Sequence, residues 1–132
     1  MVKRWMLCGW LMGLGLAAQA DEAASLRDAY AARAGVSAAT LIPEGEQLFR
    51  AGGTGERHCT ACHTDDPTQD GKTRVGKRIA PMAPAANPAR FTDPAKVEKW
   101  FGRNCKDVLA RACSDREKAA VIAWLMSLET RK

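Results

Sequence analysis

Cys59-Thr60-Ala61-Cys62-His63 is the stretch that decides the reading of this chain. C-x-x-C-H is the sequence at which a c-type haem is attached. The two thiols add across the vinyl groups of the porphyrin, and the adjoining imidazole ligates the iron from the proximal side. The motif predicts one covalent haem c, tethered by Cys59 and Cys62, with His63 as proximal ligand. Two rival uses of a C-x-x-C pair fit less well. A zinc finger needs a second pair of similar form, whereas seven residues separate Cys105 from Cys113. A thioredoxin-like site sits near a βαβ pattern, and none surrounds this one.

Outward from the motif, the first residues read as an export signal. Lys3 and Arg4 precede an uncharged apolar run from Trp5 to Ala18, and Ala18-Gln19-Ala20 is a small-x-small cleavage sequence. The run is short for a membrane span of about 20 residues. Cys8 follows Met6-Leu7 rather than a small residue, which argues against its lipid modification. The expected division is a signal peptide over 1–20 and a single monohaem cytochrome c domain over 21–132, placed in the periplasm. Cys8 leaves with the leader, Cys59 and Cys62 serve the haem, and Cys105 and Cys113 remain as an even pair suited to a disulfide. Such a loop would stabilise the fold by roughly 2.5 kcal/mol.

The whole chain carries a formal charge of +5, and loss of Lys3 and Arg4 leaves about +3. This mild basic bias gives no reason to expect a nucleic-acid partner. Lys72, Arg74, Lys77 and Arg78 cluster after the haem motif. A solvated loop and a docking patch for an acidic redox protein both account for them.

Helical periodicity is clear in four places. Residues 22–34 place Leu26, Tyr30 and Arg33 at helical spacing before Gly35. A short helix follows Pro43, carries Leu48 and Phe49, and ends at Gly52-Gly53. Gly52 to Gly55 then makes a flexible approach to the motif. Thr92-Asp93-Pro94 opens a helix with Val97, Trp100 and Phe101 that is expected to stop at Gly102. Ser114-Asp115-Arg116-Glu117 is a capping box opening a last helix whose apolar face holds Val121, Trp124, Leu125 and Leu128. Residues 64–92, with Pro67, Pro81, Pro84 and Pro88, read as an ordered loop around the haem edge. Strand patterns are absent, so the expected fold is all-α. Short helices around one haem resemble the class I cytochrome c fold, here with an extra N-terminal helix. That fold would cross the helix before the motif with the C-terminal helix, pairing Gly45 and Phe49 with Trp124.

The distal side of the iron is less explicit. Met82 follows His63 by only 19 residues, Met126 lies within the last helix, and His58 adjoins the attachment site and reads as a surface residue. At the distance where a distal Met is expected stands Asn104, 41 residues after His63 and directly before Cys105. From spacing alone, Asn104 is equally a distal ligand or a helix-terminal Asn in the left-handed conformation.

The chain closely resembles the sphaeroides haem protein family of oxygen-binding c-type cytochromes. The matching stretches are 73–76, Ile79-Ala80-Pro81, Arg90-Phe91-Thr92-Asp93, Val97-Glu98-Lys99-Trp100, Gly102-Arg103-Asn104-Cys105, Cys113 and the 117–125 segment. The resemblance implies Asn104 as a distal ligand released on reduction, opening a site for O2, NO, CO or similar ligands. It implies a Cys105–Cys113 disulfide beside that ligand. It also implies a dihaem cytochrome c and a b-type membrane cytochrome as electron donors. The chain departs from the family at Met82, where a Leu is usual, which keeps Met82 open as a competing ligand. Two other functions stand as alternatives: a six-coordinate electron carrier, and a small terminal oxidase or peroxidase. No distal acid–base residue supports the enzymatic one. The Pro81 carbonyl is the expected acceptor for the His63 ring N–H.

Overall fold

Gly45 marks the point where two helices touch backbone to backbone. In the computed structural model, which describes residues 14–53 and 57–130, α2 (Ile42–Ala51) crosses α5 (Asp115–Ser127) there. A Cβ on Gly45 would lie 1.9 Å from the Ala120 carbonyl oxygen and 2.9 Å from Trp124 Cβ, so the approach requires glycine. One turn on, Phe49 packs on Trp124 with ring centroids 5.1 Å apart. This is the crossing expected from the sequence. The all-α, cytochrome c-like architecture follows from it.

Each helix has a chemical reason for its ends. Pro43 and Glu44 occupy the first turn of α2, where Pro lacks only an N–H that has no helical partner and the carboxylate meets the positive helix end. The Gly52 N–H bonds back to the Leu48 carbonyl. Ser114 and Glu117 close the predicted capping box on α5. That helix is buried all round from Ala119 to Leu125, rather than on one stripe. Its alanines make the difference, because small side chains admit α1 and α2 closely on either side. Leu128, expected on the apolar face, is partly buried against the same core.

The N-terminal helix is longer than the expected 22–34. α1 runs Leu14–Arg33, burying Ala23, Tyr30 and Ala31, and the chain then turns at Gly35 with φ +70°. It passes without interruption through Ala20-Asp21, where the leader is expected to end. Lys3, Arg4, Cys8 and the first part of the apolar run lie outside the described residues, as do Thr54, Gly55 and Glu56 of the approach to the motif. Among the described residues no helix is long and apolar enough to cross a membrane. A 3-10 turn, Ala38–Leu41, links α1 to α2 and buries Leu41 completely.

Two expectations need correction. Residues 64–92 are ordered, but they contain a small hairpin: β1 (Gly71–Lys72) pairs antiparallel with β2 (Arg78–Ile79), Gly71 opposite Ile79 and Lys72 opposite Arg78. Strands of two residues are too short to leave a periodic signal. The second correction concerns the helix after Asp93. α4 spans Pro94–Leu109 and passes through Gly102, ending only at Ala110, which is left-handed with φ 59°. Glycine inside a helix costs only about 1 kcal/mol. The capped start at Asp93 and the buried Val97 and Cys105 on one side of α4 outweigh it.

Candidate haem site

A single turn of helix, α3 (Thr60–His63), carries the motif. Cys59 caps it, and its carbonyl accepts from the N–H of Cys62 at 3.3 Å and of His63 at 3.0 Å. Spacing by one helical turn sets the two thiols on the same side of the segment. Both are free and partly buried. Burial pushes the Cys59 thiol up to about 11.

His63 is held from two directions. The Phe49 ring lies 6.0 Å from its imidazole. The β1 strand presses on its backbone: a Cβ on Gly71 would sit 2.1 Å from the Cys62 carbonyl oxygen and 3.1 Å from His63 Cα. Burial, then the nearby Arg90 charge, pulls the imidazole down to about 4, so it is neutral at pH 7 and able to donate a lone pair. Its Nδ1 is buried without a hydrogen-bond partner.

The carbonyl expected to serve His63 is used elsewhere. Pro81 O accepts from Arg90 Nε at 2.8 Å and from Asn87 Nδ2 at 3.2 Å, while Arg90 Nη2 donates to Ala80 O at 2.6 Å. Arg90 is a half-buried guanidinium with no carboxylate partner among the described residues, and burial lowers its pKa. Nothing in the periodicity of the Pro-rich loop announces this clamp. His58 is also corrected: it is half-buried, its Nδ1 is enclosed and unpartnered, and it lies near Gly53.

Asn104 lies inside α4, five residues before its last residue Leu109, and its side chain is exposed. The left-handed residue is Ala110, so the reading of Asn104 as a helix terminus does not apply. One turn earlier on the same flank stands Trp100, 44% exposed, with the Arg103 guanidinium 5.8 Å from its ring centroid. Immediately after Asn104, the Sγ atom of Cys105 lies 1.93 Å from that of Cys113, at disulfide distance. Met82 packs partly buried against the core, and its N–H bonds to Pro67 O at 2.9 Å. Met126 is likewise core-packed, with Sδ 4.0 Å from Arg27 Nη1.

The residues fit a covalent haem. Two free thiols one turn apart adjoin a neutral imidazole, and the glycine at 71 lets β1 lie directly against the motif's backbone. Among the described residues, no three His, Cys, Asp or Glu side chains converge into a metal cage.

Known proteins agree with this geometry. A family model described as a domain of unknown function, DUF1924, matches residues 34–125. Cytochrome c-type protein SHP of Cereibacter sphaeroides is 45% identical over 129 residues, which cover 95% of this chain and 98% of that protein. The structure of oxidized SHP, an oxygen-binding cytochrome c, is 46% identical with a TM-score of 0.71, covering 80% of this chain and 96% of that one. The solution structure of Methylophilus methylotrophus cytochrome c'', which addresses haem-ligand detachment, is 37% identical with a TM-score of 0.66, covering 83% and 96%. With the C-x-x-C-H turn set against the helix crossing and this likeness over nearly its full length, the chain belongs to the DUF1924 domain family and to the sphaeroides haem proteins, a family of c-type cytochromes.

Proposed function

We propose that this protein is a periplasmic monohaem cytochrome c that binds O2, NO, CO or similar small ligands at a site opened by reduction. Cys59 and Cys62 tether the haem, His63 is the proximal ligand, and Asn104 is the displaceable distal ligand. The haem supplies iron that exchanges one electron and accepts a diatomic molecule at its sixth position. A neutral amide oxygen is a hard, weak donor that suits ferric better than ferrous iron, so Asn104 would be the residue to hold oxidised iron and to yield to a small ligand on reduction. The Cys105–Cys113 disulfide braces the residue next to it. The leader over 1–20 supports export, and the single C-x-x-C-H supports one haem.

The observation that carries this reading is the placement of Asn104: exposed, within α4, and directly before the Cys105–Cys113 tie. The relatives support it, one being an oxygen-binding cytochrome c and the other the subject of haem-ligand detachment. A dihaem cytochrome c, fed by a b-type membrane cytochrome, is the proposed electron donor. Among the described residues Lys72, Arg74 and Lys77 have no ion pair, while Arg78 is paired with Asp70, so the hairpin offers free cations to an acidic surface.

The test is the absorption spectrum of the purified holoprotein, ferric and then reduced under CO. High-spin ferric iron and CO uptake on reduction support the reading. A far-red sulfur-to-iron band without CO uptake would replace it with a Met82-ligated electron carrier.

A further inference from the structure

Glu98 answers two shielded groups from two other helices. The Tyr30 hydroxyl of α1, on a residue 1% exposed, donates to Glu98 Oε1. Lys118 of α5, its side chain 15% exposed, donates to both Glu98 oxygens at 3.0 Å. Lys118 Nζ also lies 5.2 Å from the Tyr30 ring centroid, and the Arg33 guanidinium 4.7 Å from it. The Tyr30 hydroxyl and the Lys118 ammonium share one carboxylate on α4, whose own side chain is 52% exposed.

This node matters because α4 packs less closely on α5 than α1 and α2 do. Its ties lie along one side. Val97 and Phe101 pack on the core, Phe101 edge-on to Tyr30 at 6.4 Å, and Cys105 reaches Cys113. Glu98 and Cys105 are seven residues apart, which brings them within about 20° of each other around the axis. One polar and one covalent tie on the same side oppose a roll of α4. Asn104 lies about 100° round from Cys105, so roll is the motion that displaces its side chain most. With side chains reaching about 6 Å from a helix axis, a roll of roughly 20° moves such a group by about 2 Å. That is comparable with the length of a bond to iron.

We propose that Glu98, gripped by Tyr30 and Lys118, is a positioning residue for Asn104: the node sets the roll of α4 and thereby how readily Asn104 leaves the distal site. The proposal rests on the reading of Asn104 as distal ligand. The Cys105–Cys113 bond follows a small roll through its side-chain torsions without breaking, whereas the hydrogen bonds of Glu98 must break, so Glu98 is the tie that yields. Tyr30→Phe removes one hydroxyl and keeps the ring on Phe101. Glu98→Gln keeps the shape and removes the charge.

The experiment compares both variants with the native holoprotein, with Asn104→Ala and with the Glu98→Gln/Asn104→Ala double variant. Imidazole binding to the ferric form is followed by stopped flow, and amide exchange along α4 by mass spectrometry. Losing one charge-assisted hydrogen bond is expected to speed ferric imidazole binding by about three- to tenfold, with faster exchange over residues 98–104. The double variant should bind no faster than Asn104→Ala alone, because Glu98 acts through Asn104. Variants that lose thermal stability but bind imidazole at the native rate would overturn the proposal and leave a purely structural node. An equal acceleration by Glu98→Gln in the Asn104→Ala background would also overturn it. If Asn104→Ala itself leaves ferric binding unchanged, the distal assignment fails first, and separately.

Discussion

The ring of Phe49 stands 6.0 Å from the imidazole of His63, tilted by 42°. The same ring lies 5.1 Å from Trp124, whose other contacts include the Arg50 guanidinium at 5.3 Å. His63 is therefore backed by the residue that also fills the α2–α5 crossing. Phe49→Ala should lower the unfolding free energy by about 3–5 kcal/mol. It should also loosen the packing around the His63 imidazole. Guanidinium titration of the holoprotein, with the haem spectrum as a second probe, reads both effects.

Two helical glycines should respond in opposite directions. A Cβ on Gly45 meets the Ala120 carbonyl oxygen at 1.9 Å, whereas nothing lies within 4 Å of one on Gly102. Gly45→Ala forces two backbones apart and should destabilise by about 3 kcal/mol, the upper end of overpacking costs. Gly102→Ala replaces an exposed interior helical glycine and should stabilise by about 1 kcal/mol. Chemical denaturation of the pair checks the contrast, and equal effects would count against the crossing geometry.

The α5 capping box makes stability depend on acid. The Arg111 guanidinium, with help from the Ser114 N–H, holds the Glu117 carboxyl down to about 2 from its usual 4.5. A carboxylate with a depressed folded-state pKa contributes stability that is complete above 4.5 and lost as pH falls toward about 2. Thermal melts should therefore separate native protein from Glu117→Gln at pH 7, with the gap closing between pH 4.5 and about 2.

Opening the Cys105–Cys113 tie should cost roughly 2.5 kcal/mol on the loop-entropy argument. A Cys105→Ser/Cys113→Ser variant should melt lower, and added reductant should lower the native melting temperature without moving that of the variant. If both respond to reductant alike, the stabilisation does not come from this pair.

Much of the arrangement was legible because it rests on short-range chemistry. The motif at 59–63, the Asp93-Pro94 start and the Ser114–Glu117 box each act within a turn of helix, so local residue types specify them. The Gly45–Trp124 crossing was readable through a fold likeness rather than through periodicity. What escaped depends on tertiary contacts. Helix α4 runs past Gly102 because ties at Val97 and Cys105 hold it, and no local signal records them. The hairpin at 71–79 is short enough that its pairing, not its sequence pattern, defines it. Arg90 reads as an ordinary surface cation until the chain brings the Ala80 and Pro81 carbonyls beneath it. The helix-end reading of Asn104 fails only because α4 runs on to Leu109, which no residue near 104 announces.

Alanine has no side-chain rotamers. Ala119, Ala120 and Ala123 of α5 are buried in one core with Ala23 and Ala31 of α1 and Ala38 of the 3-10 turn. Methyl groups in such a seam have no alternative torsions by which to absorb a neighbour's shift. Any adjustment in this core falls to its larger members, Tyr30, Leu41, Ile122 and Leu125. The seam therefore serves as a stiff frame on which α1 and the 3-10 turn are set against α5.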